Sequence, residues 1–186
     1  MNLLRFKVVL DANVLYSAPV RDLLFNLADQ ELYTPKWSPI IQDEWTRSLI
    51  KNRPDLKYEK LEPTVKLMNE AFPTAMVDNS PELIEQIKLP DPDDRHVLAT
   101  AISCHANSIV TFNIKDFPAK KIQRQYQVEI LHPDKFVLKL SNIALSLTKQ
   151  AFENQLASLK NPPSSKGKLL MILKRAGFKN AIQVFE

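Results

Sequence analysis

The first 166 residues of this 186-residue chain contain no glycine, and the two glycines present, Gly167 and Gly177, fall near its end. Phosphate-binding loops of the Walker and dinucleotide-fold kinds need glycine so that backbone N–H groups can approach phosphate closely. Neither loop is available to the body of this chain. Any handling of phosphate must pass through side chains or a metal ion. Strands that do not pair through glycine turns but alternate with helical patterns indicate an α/β domain with a parallel sheet.

The local pattern has that alternation. Phe6 to Leu10 is a β-branched and aromatic run ending at Asp11, and it predicts a buried strand. Leu23, Leu24, Leu27 and Ala28 recur at helical spacing over 20–28, and Leu32 to Pro35 predicts a second short strand. Ser38-Pro39 then supplies the N-cap and first-turn proline of a helix striped by Ile41, Trp45 and Leu49. Residues 54–73 predict one broken helix or two short ones, because Pro63 interrupts them. Ala75 to Val77 predicts a strand, and Ser80-Pro81 and Asp91-Pro92 are two further helix starts, the second running to about His105. Ser108 to Thr111 and Val128 to Leu131 are two more strands. From Asp134 to about Lys160 the pattern is wholly helical, 161–165 reads as a linker, and Lys168 to Ala176 is a short basic helix stopped by Gly177. The expected organisation is a domain over 1–140 with a basic helical extension over 141–186.

Hydrophobic residues at 45% suffice for a core, and no apolar run approaches the roughly 20 residues that span a bilayer. The opening residues lack the apolar stretch of a signal peptide, and the single Cys104 has no partner for an intrachain disulfide; the expected location is the cytoplasm. The charge is uneven. Residues 1–141 carry 18 Lys or Arg against 19 acids, whereas 142–186 carry 7 against 2. A basic tail on a near-neutral body suits contact with a polyanion, and equally a lysine-rich solvated helix face.

The acids are placed suggestively. Asp11 follows the first strand and Asp116 lies in the loop after the strand ending at Thr111. Ligands of open parallel sheets bind at strand carboxyl ends, so the two converge if their strands are neighbours; either Asp alone reads as well as a turn residue. Glu44 flanks the buried stripe of its helix, while Asp43 faces outward and can pair with Arg47. Asp91 is the expected cap of the next helix. Asp94, followed by Val97, Leu98, Ala101 and Ile102 at helical spacing, projects toward the sheet, and Asp93 shares a more solvated face with His96 and Thr100. Four converging carboxylates repel one another unless a cation neutralises them, and hard ions such as Mg²⁺ or Mn²⁺ prefer such oxygens. Ions so held can orient an attacking water and stabilise phosphodiester hydrolysis.

The segment Leu10-Asp11-Ala12-Asn13-Val14-Leu15 resembles the opening motif of PIN domains. Asp94-Arg95-His96-Val97-Leu98-Ala99-Thr100-Ala101 is similar to their third motif, and Thr111-Phe112-Asn113-Ile114-Lys115-Asp116-Phe117 to their fourth. Glu44 holds the place of the helical acid between them. The resemblance covers roughly residues 6–135 and is nearest the VapC-like toxin branch. It implies a three-layer α/β/α fold with a short central parallel sheet, Mg²⁺ or Mn²⁺ as cofactor, and endonucleolytic cutting of RNA. It also implies an antitoxin partner and a homodimer. By the same resemblance Asp11, Glu44, Asp94 and Asp116 are catalytic metal ligands, Asn13 and Thr111 hold the acids by hydrogen bonds, and Asn113 shapes the loop of Asp116 or touches phosphate. Lys115, Lys120, Lys121 and Arg124, just past the fourth acid, are expected either to contact RNA backbone or to lie on an ordinary solvated loop. Compact members end soon after the last strand; the extension here is expected to pack against a second subunit or a partner.

Two other functions fit parts of the pattern. A haloacid-dehalogenase-type phosphatase also begins with a post-strand Asp, but needs a second Asp where this chain has Asn13. A PIN scaffold without activity would bind RNA or protein only, and its usual mark is a missing acid; none is missing here. Trp37, Trp45 and Cys104 are expected in the core, with an exposed Trp37 the alternative that could stack on a base.

Overall fold

The computed structural model describes residues 6–160 and 163–186; Met1 to Arg5 and the linker residues Asn161-Pro162 lie outside the described residues. Four strands, β1 (Lys7–Leu10), β2 (Thr34–Lys36), β3 (Ser108–Val110) and β4 (Glu129–Leu131), form one parallel sheet in the order β2-β1-β3-β4. Val8, Val9, Leu10, Ile109 and Val110 are all fully buried. Successive strand side chains point to opposite faces, so both faces of this sheet are covered and the fold is a three-layer α/β/α arrangement.

The connections are helical. They are α1 (Ala12–Tyr16), α2 (Ala18–Asp29), α3 (Pro39–Asn52), α4 (Tyr58–Ala71), α5 (Pro81–Gln86), α6 (Arg95–Ser103) and α7 (Ala119–Tyr126), followed by α8 (Pro133–Ile143), α9 (Leu145–Ser158) and α10 (Lys166–Arg175). The chain leaves β1 for β2 on one side, then returns past β1 to β3 on the other. Strand order therefore reverses between β1 and β3, and a crevice opens at their carboxyl ends. The backbone N–H of Asp11 donates to the Val110 carbonyl at 3.1 Å, fixing the end of β1 against that of β3.

A chain without glycine must still turn from helix into strand. Glu31, His105 and Gln127 adopt left-handed φ values of 58°, 52° and 59°, and they sit after α2, α6 and α7, just ahead of β2, β3 and β4. Glycine normally fills such positions because it lacks the Cβ that makes them costly. Replacing each of the three by Gly is expected to raise stability by about 0.5–1 kcal/mol, the relief of left-handed strain less the entropy glycine adds to the unfolded chain. Urea unfolding of the single variants checks this; a uniform loss of stability contradicts it.

Some expectations need correction. Pro63 lies inside a continuous α4, in its second turn, where one missing donor does not break the helix. Residues 75–77 make a single bridge, Trp37 to Met76, and no strand. The helix expected over 134–160 is two, α8 and α9, because Ala144 leaves helical geometry at φ −145° and ψ 69°. Helices α1 and α7 were not anticipated: α1 has five residues, too few to show a period, and α7 was read as loop.

The C-terminal helices share the core of the sheet. Phe152, Leu169, Leu173, Phe178 and Phe185 belong to the same buried cluster as β1, and α9 packs on α2 and α8. The Asp134 carboxylate, buried in the first turn of α8, accepts hydrogen bonds from the backbone N–H groups of Lys179, Asn180 and Ala181 at 3.0, 3.0 and 2.8 Å. Trp37 and Trp45 are buried, which removes Trp37 as a stacking surface; Cys104 is half-buried against the core. Among the described residues no helix is long and apolar enough to cross a membrane.

Candidate metal centre

Thr111 directly follows β3 and organises the crevice. Its hydroxyl donates to Asp11 Oδ2 at 2.6 Å and accepts from Asn13 Nδ2 and from the backbone N–H of Asn113, both at 2.9 Å. One donor and two lone pairs are thereby all used. Asn13 is equally committed: Nδ2 also donates to Asp11 Oδ2 at 2.6 Å, and Oδ1 accepts from the Phe112 N–H at 3.0 Å. Asn13 therefore holds the acid and the β3 loop together, and it has no role as a proton donor of the phosphatase kind. Asn113 extends the network by donating from Nδ2 to Asp94 Oδ2 at 3.1 Å. Thr111→Val keeps the shape but removes three hydrogen bonds at once, leaving the Asn113 N–H without its acceptor while Asn13 Nδ2 and Asp11 Oδ2 keep only each other. It is expected to cost at least about 2 kcal/mol by urea unfolding; a loss of a few tenths would show that the network is not structural.

The acids converge. Asp91, Asp94 and Asp116 each bring one carboxylate oxygen within 4.8 Å of the others. Burial, then the negative charges of Asp11, Asp91, Asp116 and Glu44, push the Asp94 carboxyl up to about 7. Burial also raises Asp11; the Thr111 hydrogen bond opposes this and the Glu44 charge adds to it. Of the four acids singled out from sequence, Asp94 and Asp116 stand in this close group, with Asp91 added; Asp11 and Glu44 lie outside it and bear on Asp94 through their charge. Asp91 Oδ1 caps the turn by accepting from the Asp93 N–H at 2.9 Å, as expected, and its carboxylate also joins the cluster. Asp93 is exposed and Asp43 pairs outward with Arg47.

His96 and Thr100, expected on a solvated face, are both buried, and His96 bears on the site. Its Nε2 lies 3.2 Å from Glu44 Oε2, a carboxylate that can only accept when ionised. The reason for the burial is that α6 is covered on every side: His96 to Ala101 are all buried, and the helix packs on β1 and β3 as well as on α3 and α5. The face of His96 is the one that meets the acid on α3. The basic residues separate: Lys115 stays in the loop with Asp116, whereas Lys120, Lys121 and Arg124 lie on α7. Lys120 borders a cavity with Phe6, Asn107 and Glu129, at the amino ends of the strands and away from the acids.

A donor set made only of carboxylate oxygens suits a hard divalent ion, and a carboxyl that keeps its proton near neutrality marks charge that no protein cation offsets. These residues fit Mg²⁺ or Mn²⁺. A family model for the PIN domain matches residues 7–115, more than half of the chain. The chain belongs to the PIN domain family. The Mycobacterium tuberculosis protein named putative ribonuclease VapC50 is 38% identical over 77 residues, which are 41% of this PIN-domain chain and 45% of that relative. The match thus spans less than half of the relative's length. No solved structure matches the chain.

Proposed function

We propose that this PIN-domain protein is a Mg²⁺- or Mn²⁺-dependent endoribonuclease, the toxin of a type II toxin–antitoxin pair, working in the cytoplasm. The observation that carries the catalytic part is the close group of Asp91, Asp94 and Asp116, where burial and then the charges of four neighbouring acids push the Asp94 carboxyl up to about 7. RNA as substrate is supported by the name of the mycobacterial relative, a ribonuclease. An antitoxin and a homodimer are proposed from the family resemblance, with 1–140 as the nuclease body and 141–186 as the layer that meets a partner.

In this reading Asp11, Glu44, Asp94 and Asp116 hold the ion, joined by Asp91. A bound Mg²⁺ or Mn²⁺ supplies Lewis acidity toward the phosphodiester and an activated water. The chain supplies orientation. Asn13 and Thr111 fix Asp11 on the end of β1, Asn113 ties Asp94 to the loop of Asp116, and His96 steadies Glu44. Purified protein with Mn²⁺ is expected to cut RNA, and Asp11→Asn to reduce cutting by at least about a hundredfold while keeping the far-UV circular dichroism of the wild type. Equal cutting by both proteins sinks the proposal, because the activity then belongs to a contaminant.

A further inference from the structure

A cleft of about 240 Å³ opens between α1 and α3, lined by Ala12, Asn13, Tyr16, Glu44, Ser48 and Asn52. Glu44, Ser48 and Asn52 stand at four-residue intervals and so form one row along α3, about 12 Å long at the rise of a regular helix. Asn13 and Tyr16 face that row from α1. Two of the lining residues reach the acid centre: Asn13 donates to Asp11 Oδ2 at 2.6 Å, and the charge of Glu44 bears on Asp11 and Asp94. The cleft is therefore an arm of the candidate site.

The chemistry of the walls restricts what enters. Glu44 is the one charged lining residue, and it is negative. A phosphate would find a cation only at the Glu44 end, where the proposed ion sits; the rest of the arm offers none and suits an uncharged part of a nucleotide. Tyr16 brings an aromatic ring of the kind on which bases stack. Its hydroxyl accepts from Asn52 Nδ2 at 3.2 Å, a bond that uses one of two amide hydrogens and neither lone pair of the Asn52 carbonyl. Ser48 adds a hydroxyl midway along the row. Hydroxyl and amide groups that both donate and accept match the edge of a base. A base paired inside a duplex cannot present both its face and its edge in this way.

We infer that the α1–α3 cleft seats an unpaired nucleobase of RNA beside the phosphodiester that is cut. This deepens the ribonuclease reading and rests on it for the position of the cut, though not for binding. The test is fluorescence anisotropy with a labelled single-stranded 12-mer RNA of mixed sequence and with its duplex, in Ca²⁺, for the wild type, Tyr16→Ala and Ser48→Phe. Ser48→Phe fills the cleft from a half-buried helix position, so it remains informative if Tyr16→Ala does not fold. The single strand is expected to bind more tightly than the duplex, and each variant to weaken it by about tenfold. Mn²⁺ affinity should stay at the wild-type value in both. Binding without cutting in Mn²⁺ would leave the cleft assignment standing and remove the nuclease reading. No binding of the strand, or binding unchanged in Ser48→Phe, overturns the cleft assignment.

Discussion

Mn²⁺ affinity is expected to climb about tenfold per pH unit up to about pH 7 and then level off, with close to one proton released per ion bound below that point. The cause is the Asp94 carboxyl, pushed up to about 7 by burial and by the acids around it. An ion entering below that pH must first displace the proton. Without metal the same group makes folding less favourable as pH rises: its proton is held in the folded state and lost in the unfolded state above the ordinary value of 3.8. Its favourable contribution is complete below that value and is lost as pH rises through about 7. After discounting for solvent screening at a half-buried group, the loss is about 1–2 kcal/mol.

Asp94→Asn separates the two roles of this residue. In metal-free protein at neutral pH the variant should be more stable than the wild type by about 1 kcal/mol, because one charge leaves a crowded cluster. Saturating Mn²⁺ should raise the melting temperature of the wild type and leave that of the variant unmoved. Cutting should be lost. A metal-free variant less stable than the wild type, or Mn²⁺ binding indifferent to pH, contradicts this account of the centre.

The second large effect lies in the C-terminal segment. Asp134→Ala is expected to cost about 3 kcal/mol, because it leaves the buried N–H of Ala181 and the part-buried N–H groups of Lys179 and Asn180 without their acceptor. The same carboxylate also accepts from Asn180 Nδ2 at 2.8 Å. Burial pushes the Asp134 carboxyl up, but the hydrogen bonds from Ala181, Asn180 and Lys179 outweigh it and hold it below the ordinary 3.8. Its contribution to stability is therefore present above that value and lost as pH falls through the lower, folded one. Urea unfolding at neutral pH and again in acid measures both parts. The deficit of the variant should shrink in acid, and a neutral-pH cost under about 1 kcal/mol would show that the segment is held by its apolar contacts instead.

The parallel sheet was legible because its signals are local. The β-branched run before Asp11 and the serine–proline starts at Ser38 and Ser80 each mark an element boundary through backbone chemistry, and both serines accept the N–H of the residue three on, Ile41 and Leu83. The convergence of Asp11 and the β3 loop followed from one further premise, that their strands are neighbours, and β1 pairs directly with β3. What stayed hidden depends on space. His96 and Thr100 were assigned a solvated face by helical counting, which cannot show that α6 is covered on every side. Asp91 has two roles, cap and cluster member, and only the first is written in local spacing. Tyr16, Ser48 and Asn52 gave no signal at all, since a cleft between two helices is a property of how they pack.

Anomalous diffraction at the manganese edge from crystals grown with Mn²⁺ tests the central claim most directly. A peak is predicted in coordination contact with Asp94 and Asp116, at the carboxyl ends of β1 and β3. A peak elsewhere on the molecule, or an empty basin in crystals holding Mn²⁺ at millimolar concentration, would contradict it.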